Sequence, residues 1–315
     1  MIRDELLARG YQAELLGLSR RYTRFTAPNG SIWITRNGTV GYPFIDYAVQ
    51  KISADKQLSY EFAESQGVAI PKTLSVKNVD AAARRFLETY GPLVVKPLNS
   101  FGSRGLTIGV RTQQELAAAI NRAQEFSDTV LAQQQVQGGE VRITVINGQV
   151  VSAMLRQTPR VTGDGVSTVA QLIEQENAQR AALDTTYIAY PQLSEANIAA
   201  HFMTDQTVPA AGEVVEFSKS TMVKTGASLY NITADMHDSY KQTASKLASR
   251  LSLNFLIVDM MVQDYTQPQT ADNYAFIEFN TAPALKMYYA TRDGRTCDIV
   301  TMLADMIDNW GHKND

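Results

Sequence analysis

The 315 residues include 44% hydrophobic and 19% charged side chains, the balance of an ordinary globular protein long enough for two lobes and a sizeable core. A formal net charge of -3 gives no global electrostatic case for nucleic acid or an anionic membrane, and no run approaches the length of a membrane span. The single cysteine, Cys297, excludes an intrachain disulfide, and Arg3, Asp4, Glu5 and Arg9 break any apolar signal core near Met1, so a cytoplasmic location is expected.

Residues 1–54 predict a short N-terminal lobe, with a helix at the start, a strand over 31–35 and a turn at Asn37-Gly38. Residues 55–136 then alternate helix, strand, helix and strand. Asp55 or Ser53 is placed to cap a helix running through Ser65, which Gly67 ends as a left-handed glycine. A strand near 73–76 and a helix over 81–90 lead to Leu93-Val94-Val95-Lys96-Pro97, a strand with a lysine at its exit, where the proline ends central pairing. The loop after it, Asn99-Ser100-Phe101-Gly102-Ser103-Arg104-Gly105, sets small residues around one cation. Glycines admit positive φ and close approach of backbone N–H groups, so such a loop can wrap a phosphate chain; it also fits a glycine-rich turn into a strand over 106–110. No Gly-Lys-Ser/Thr closes it, so it is not a Walker A loop. A helix over 115–126 and a strand over 130–136 complete this lobe.

Residues 137–315 read as a larger lobe begun by antiparallel strands. Gly138-Gly139 turns into a strand over 140–146 whose alternation places Glu140, Arg142 and Thr144 on one face. Asn147-Gly148 is a type I′ hairpin signal, and residues 150–155 return toward Arg156. Gly163-Asp164-Gly165 is a tight turn before a helix capped by Ser167 or Thr168. Residues 184–215 carry few chemical clues. Lys219 to Ser228 forms a second basic, polar loop ahead of a helix over 235–251.

Phe255 to Val262 is apolar on both faces except for Asp259, and Phe276 to Asn280 is a partner strand across the polar stretch from Gln263 to Asn273. A hairpin symmetric about the Pro268-Gln269 bond sets Asp259 opposite Glu278, and Asn280 shares the face of Glu278 about 6 to 7 Å along the strand. Two carboxylates and an amide among apolar neighbours must be paired or bind a metal. All three donors are hard oxygens, which suit Mg²⁺ or Mn²⁺. The plain alternative satisfies each carboxylate separately with cations or backbone amides. His201, His237 and His312 show no metal spacing, and Cys297, beside Asp298, reads as structural.

Taken in order, these features resemble the ATP-grasp superfamily of carboxylate-amine ligases from about Ser53 to Ala290, with likeness to the ATP-grasp module of bifunctional glutathione synthetases and to cyanophycin synthetase. Asp55-Lys56, Val95-Lys96-Pro97 with the glycine loop, Gly138-Gly139-Glu140-Val141-Arg142 and the set of Asp259, Glu278 and Asn280 carry the superfamily likeness. Gly163-Asp164-Gly165 with Ser167-Thr168, Leu172-Ile173, Asn177 and Arg180, and Lys224-Thr225-Gly226-Ala227 with Thr233, carry the narrower one.

The resemblance implies an α+β ATP-grasp fold, two α/β lobes clasping ATP, with the boundaries 1–54, 55–136 and 137–315. It also implies Lys56 and Lys96 on ATP phosphates, Gly102, Ser103, Arg104 and Gly105 closing over them, Gln134 and Val136 on adenine and Glu140 on the ribose. Asp259, Glu278 and Asn280 would hold magnesium or manganese. Arg142 and Arg156 are candidates to orient a carboxylate or stabilise a tetrahedral intermediate, because an arginine fork matches carboxylates bidentately; structural ion pairs are the alternative. Amino acids or small peptides would be the substrates, with no nucleic acid or membrane partner, and pairing into a homodimer is consistent with the family. Two departures stand out: Gln133-Gln134-Gln135 replaces residues that are commonly acidic, and Phe217-Ser218-Lys219-Ser220 lacks an arginine and an asparagine. A nucleotide-binding regulator without turnover, and a ligase acting on a protein or longer peptide, remain alternatives.

Overall fold

The architecture comes from a computed structural model describing residues 1–18, 21–36, 42–99, 104–183, 190, 192–193 and 206–311. Its largest sheet has five antiparallel strands, in the spatial order β12 (Ser228–Asn231), β9 (Gln149–Gln157), β8 (Gly139–Ile146), β13 (Phe255–Val262) and β14 (Tyr274–Asn280). Both faces of this sheet are covered, which explains why β13 is apolar almost throughout. Leu256, Val258 and Met260 pack on one side against Tyr240, Ala244, Leu247 and Ala248 of a helix we number α7 (Asp238–Arg250). The same core takes Tyr60 and Ala63 of α3 (Lys56–Ser65). Phe255 and Ile257 pack on the other side with Leu303, Ala304 and Ile307 of α8 (Ile299–Gly311). Asp259 continues that second face as the odd-numbered residue that is not apolar.

The N-terminal elements extend this second core. Ile2 and Leu6 of α1 (Ile2–Ala8) join it, as do Phe25 and Trp33 from the three-stranded antiparallel sheet β1 (Gln12–Leu16), β2 (Tyr22–Thr26) and β3 (Ile32–Arg36). Only β3 of these strands was expected. The Asn37-Gly38 turn lies outside the described residues. A helix not foreseen, α2 (Tyr47–Ala54), follows, capped by Asp46.

A second sheet has the order β4 (Thr73–Val76), β7 (Val130–Gln134), β5 (Leu93–Pro97) and β6 (Thr107–Val110), again antiparallel. Leu93, Val95, Val130 and Ala132 pack against Ala83 and Leu87 of α4 (Ala81–Tyr90) and Leu116, Ala119 and Ile120 of α5 (Gln113–Gln124). By alternation Lys96 and Gln133 fall on the face turned away from these helices. Between β9 and β12 in the chain, α6 (Val169–Ala181) packs on the two-stranded sheet of β10 (Arg160–Thr162) and β11 (Val214–Glu216). Helices and antiparallel sheets together make the α+β class expected from the sequence.

Candidate active site

The β13-β14 hairpin supplies the centre. Its register sets Asp259 opposite Glu278 and Ile257 opposite Asn280, as expected, but shifts by one residue beyond Asp259, where Met260 pairs with Phe276. Ile277 is therefore the extra residue of a bulge, a local bend that aims the strand end differently. Asn280 Nδ2 donates to Asp259 Oδ2 at 2.9 Å and to Glu278 Oε1 at 3.1 Å, so one amide ties the two carboxylates together.

Arg142 stands opposite Asp259 on the other neighbour, β8. Its guanidinium grips the carboxylate through both nitrogens, Nε to Oδ1 at 2.8 Å and Nη2 to Oδ2 at 2.6 Å. Burial opposes the charge of Asp259, which is 1% exposed, but Arg142 outweighs it and holds the carboxyl below its ordinary range. Glu278 moves the other way. Burial, then the charge of Asp259, pushes its carboxyl above the ordinary range, against the opposing pull of Asn280, Lys56 and Arg142. Of the two acids Glu278 is thus the one that a cation would relieve most.

Lys56 comes from α3, which packs on the large sheet, and Lys96 from β5 of the second sheet. Asp55 caps α3 by accepting from the Gln57 and Leu58 amides, which orients the first turn, and Lys56 Nζ donates to the Leu98 carbonyl at 3.2 Å. Burial lowers the Lys56 pKa; Glu278 opposes that shift and Lys96 adds to it, so the lysine senses both the acidic pair and the second lysine. Lys96 Nζ donates to Tyr60 Oη at 2.8 Å. Tyr60 and Gln133 are absent from the sequence-derived site. Tyr60 stands four residues after Lys56, a spacing that shares a helix face, and that was the available signal.

The remaining candidates are distributed around this centre. Glu140, on β8, accepts from Arg156 Nη1 at 2.5 Å and from the Thr221 hydroxyl, so Arg156 and Arg142 both stand in ion pairs. Arg156 Nε is buried with no hydrogen-bond partner. Thr221 belongs to the second basic loop, which reaches back over Glu140. The Lys224 side chain lies outside the described residues, as do His201 and His312. Gly102 and Ser103 also lie outside them, while Arg104 stacks its guanidinium 4.8 Å from the Phe126 ring centroid. Gly105 has φ +72, and a Cβ there would come within 2.7 Å of Phe126 and 2.8 Å of Pro97. Gln134 donates its backbone N–H to the Lys72 carbonyl at 2.8 Å; β7 ends there, so Val136 lies beyond the strand.

Among the described residues no three His, Cys, Asp or Glu side chains converge. The donor set is two carboxylates and an amide. It fits a hard divalent cation: each carboxylate oxygen has two lone pairs, so the Arg142 fork leaves Asp259 acceptor capacity, and an amide turned over would present Oδ1 where Nδ2 now bridges.

Residues 55–179 match the family model for the prokaryotic glutathione synthetase, ATP-grasp domain. The chain is 27% identical over 265 residues to the cyanophycin synthetase of Geminocystis herdmanii, covering 82% of this chain and 30% of that protein. It is 25% identical over 272 residues to the glutathione biosynthesis bifunctional protein GshAB of Pasteurella multocida, covering 82% and 36%. The chain thus spans about a third of the length of these curated relatives. The crystal structure of a bifunctional glutathione synthetase from Pasteurella multocida superimposes with a TM-score of 0.67 at 21% identity, covering 98% of this chain and 43% of that one. A D-alanine--D-alanine ligase from Bacillus anthracis gives 0.51 at 15% identity, covering 84% and 70%.

Proposed function

We propose that the chain is an ATP-grasp protein and an ATP-dependent carboxylate-amine ligase that joins an amino acid or small peptide to an amine. The observation that carries this is that Lys56 interacts both with Lys96, at the exit of β5, and with Glu278 of the bridged set Asp259, Glu278 and Asn280. The similarity to a cyanophycin synthetase and to a glutathione biosynthesis protein supports the class of reaction.

A carboxylate is a poor electrophile. Transfer of the γ-phosphoryl group of ATP to it releases ADP and forms an acyl phosphate, from which an attacking amine expels phosphate to leave an amide. Such transfer needs alignment and charge neutralisation above all. Lys56 and Lys96 would offset the phosphate charge, with Arg104 and Gly105 in the loop alongside. Gln134 and Val136 would meet the adenine and Glu140 the ribose. Magnesium or manganese held by Asp259, Glu278 and Asn280 would neutralise the phosphate oxygens. Arg156, with a free buried Nε, is the better placed of the two arginines for a substrate carboxylate; Arg142 serves to keep Asp259 ionised and oriented. ATP supply agrees with a cytoplasmic setting, and a homodimer fits the same reading.

The test is release of ADP and phosphate from purified protein with Mg²⁺, ATP and pooled amino acids and dipeptides, with mass spectrometry of the products. Turnover should require both an acid and an amine. Glu278→Gln should lower kcat by about two orders of magnitude or more and raise the Mg²⁺ requirement, consistent with the loss of one electrostatic stabiliser of the transition state. Tight ATP binding with no turnover in any pool, unaffected by Glu278→Gln, would instead favour a nucleotide-binding regulator.

A further inference from the structure

Lys96 is held by a chain of hydrogen bonds whose direction is set at every link. The Thr73 hydroxyl donates to the Pro71 carbonyl at 2.8 Å, so its oxygen is free to accept from Gln133 Nε2, also at 2.8 Å. That contact turns Gln133 Oε1 toward Tyr60, whose hydroxyl donates to it at 3.4 Å. A lysine ammonium has donors only, so at 2.8 Å the Tyr60 oxygen must be the acceptor from Lys96. The chain runs from a cation to a backbone carbonyl through neutral groups alone.

Its middle member also spans the molecule. Tyr60 is 5% exposed and sits on α3, with its hydroxyl against Lys96 of β5 and Gln133 of β7 on one face of the second sheet. Its ring meets Phe276 edge-on, centroids 5.9 Å apart, two residues before Glu278 on β14. One rigid side chain therefore gauges the position of Lys96 against the strand that carries Glu278. A carboxylate in place of the hydroxyl would hold the ammonium more strongly but cancel its charge.

We propose that Tyr60 is a positioning residue that holds the Lys96 ammonium toward nucleotide phosphates through a neutral partner, leaving its full charge for the ligand, with Gln133 and Thr73 orienting the hydroxyl. This rests on the nucleotide site proposed above but not on any turnover. It predicts a defect confined to the phosphate part of the ligand. Tyr60→Phe keeps the ring and its contact with Phe276 and removes only the hydroxyl.

Displacement of a fluorescent nucleotide analogue by ATP and by adenosine, on the full chain with Mg²⁺ and no acceptor, reads the effect. Tyr60→Phe should weaken ATP about tenfold or more, the scale of one hydrogen bond to a charged group, and leave adenosine unchanged. In a Lys96→Met background Tyr60→Phe should have no further effect on ATP, since a residue acting through another is silent once that other is gone. Gln133→Leu, which removes the acceptor one step from Lys96, should act in the same direction but less, and it carries the test if Tyr60→Phe does not fold. Equal losses for ATP and adenosine, or a Tyr60→Phe effect that persists without Lys96, would overturn the positioning role alone. An unaltered chain that binds neither ligand would overturn the nucleotide site and the inference together.

Discussion

Asp259 and Glu278 are chemically alike, face each other, and are driven in opposite directions by their other neighbours. Asp259 has the Arg142 fork and stays ionised; Glu278 has an amide and a more distant lysine, so burial and the facing negative charge raise its pKa. Their pairing was legible because a hairpin needs only local spacing. The Arg142 fork was not, because it depends on the register of β8 against β13, strands separated by more than a hundred residues of chain. Cys297 shows the same limit. Its structural role could be read from its solitary place beside Asp298, whereas the extent of its burial could not. Burial, aided by Asp298, pushes the thiol up to about 11. The raised value favours the neutral thiol, so this contribution to stability is complete below the ordinary thiol range and is lost as pH rises through about 11. Iodoacetamide at pH 8 should therefore leave Cys297 essentially unmodified in the native chain and alkylate it readily in urea. Equal rates in the two states would contradict the buried setting.

At the scale of elements, caps and turns were the readable features. Asp55 caps α3, Thr168 caps α6 through a capping box with Gln171, and Asn147 and Gly148 take the positive φ values of a type I′ turn. Each follows from chemistry within a few residues. Two of the three N-terminal strands escaped notice, because β1 exposes Leu15 beside Glu14 and β2 exposes Tyr22 while burying Thr23, which blurs the period of two. The bulge at Ile277 was also invisible, since a single extra residue leaves the apolar pattern readable in either register. Gly138 has a tertiary reason to be glycine: φ is +122, and a Cβ would stand 2.3 Å from the Val262 carbonyl oxygen at the end of β13. Gly138→Ala should cost about 1 to 3 kcal/mol or more from the strained backbone alone, read as a lower urea midpoint. An unchanged midpoint would mean that the two strand ends separate without cost.

For the whole molecule, the informative feature is a core shared between segments distant in sequence. Both tryptophans belong to it: Trp33 of β3 and Trp310 of α8 meet edge-on with centroids 6.4 Å apart, beside Phe25 and the underside of β13. Tryptophan fluorescence therefore reports on the junction of the N-terminal segment with the large sheet, while far-UV circular dichroism reports on the helices and strands throughout. Urea transitions followed by the two signals should coincide, as expected of elements that cannot bury their apolar faces separately. An earlier fluorescence transition would mark residues 1–54 as a unit that unfolds by itself. The sequence by itself determined the local features: the capped helices, the hairpins, and the facing of Asp259 and Glu278, because each depends on periodicity and turn chemistry over a short reach. Only the tertiary structure decided that Arg142 grips Asp259, that Tyr60 reaches Lys96, and that Arg156 pairs with Glu140 under Thr221. Arg142 and Asp259, Lys96 and Tyr60, and Thr221 and Glu140 lie tens of residues or more apart, and even the shorter-range pair of Arg156 and Glu140 is selected by the register of β8 against β9.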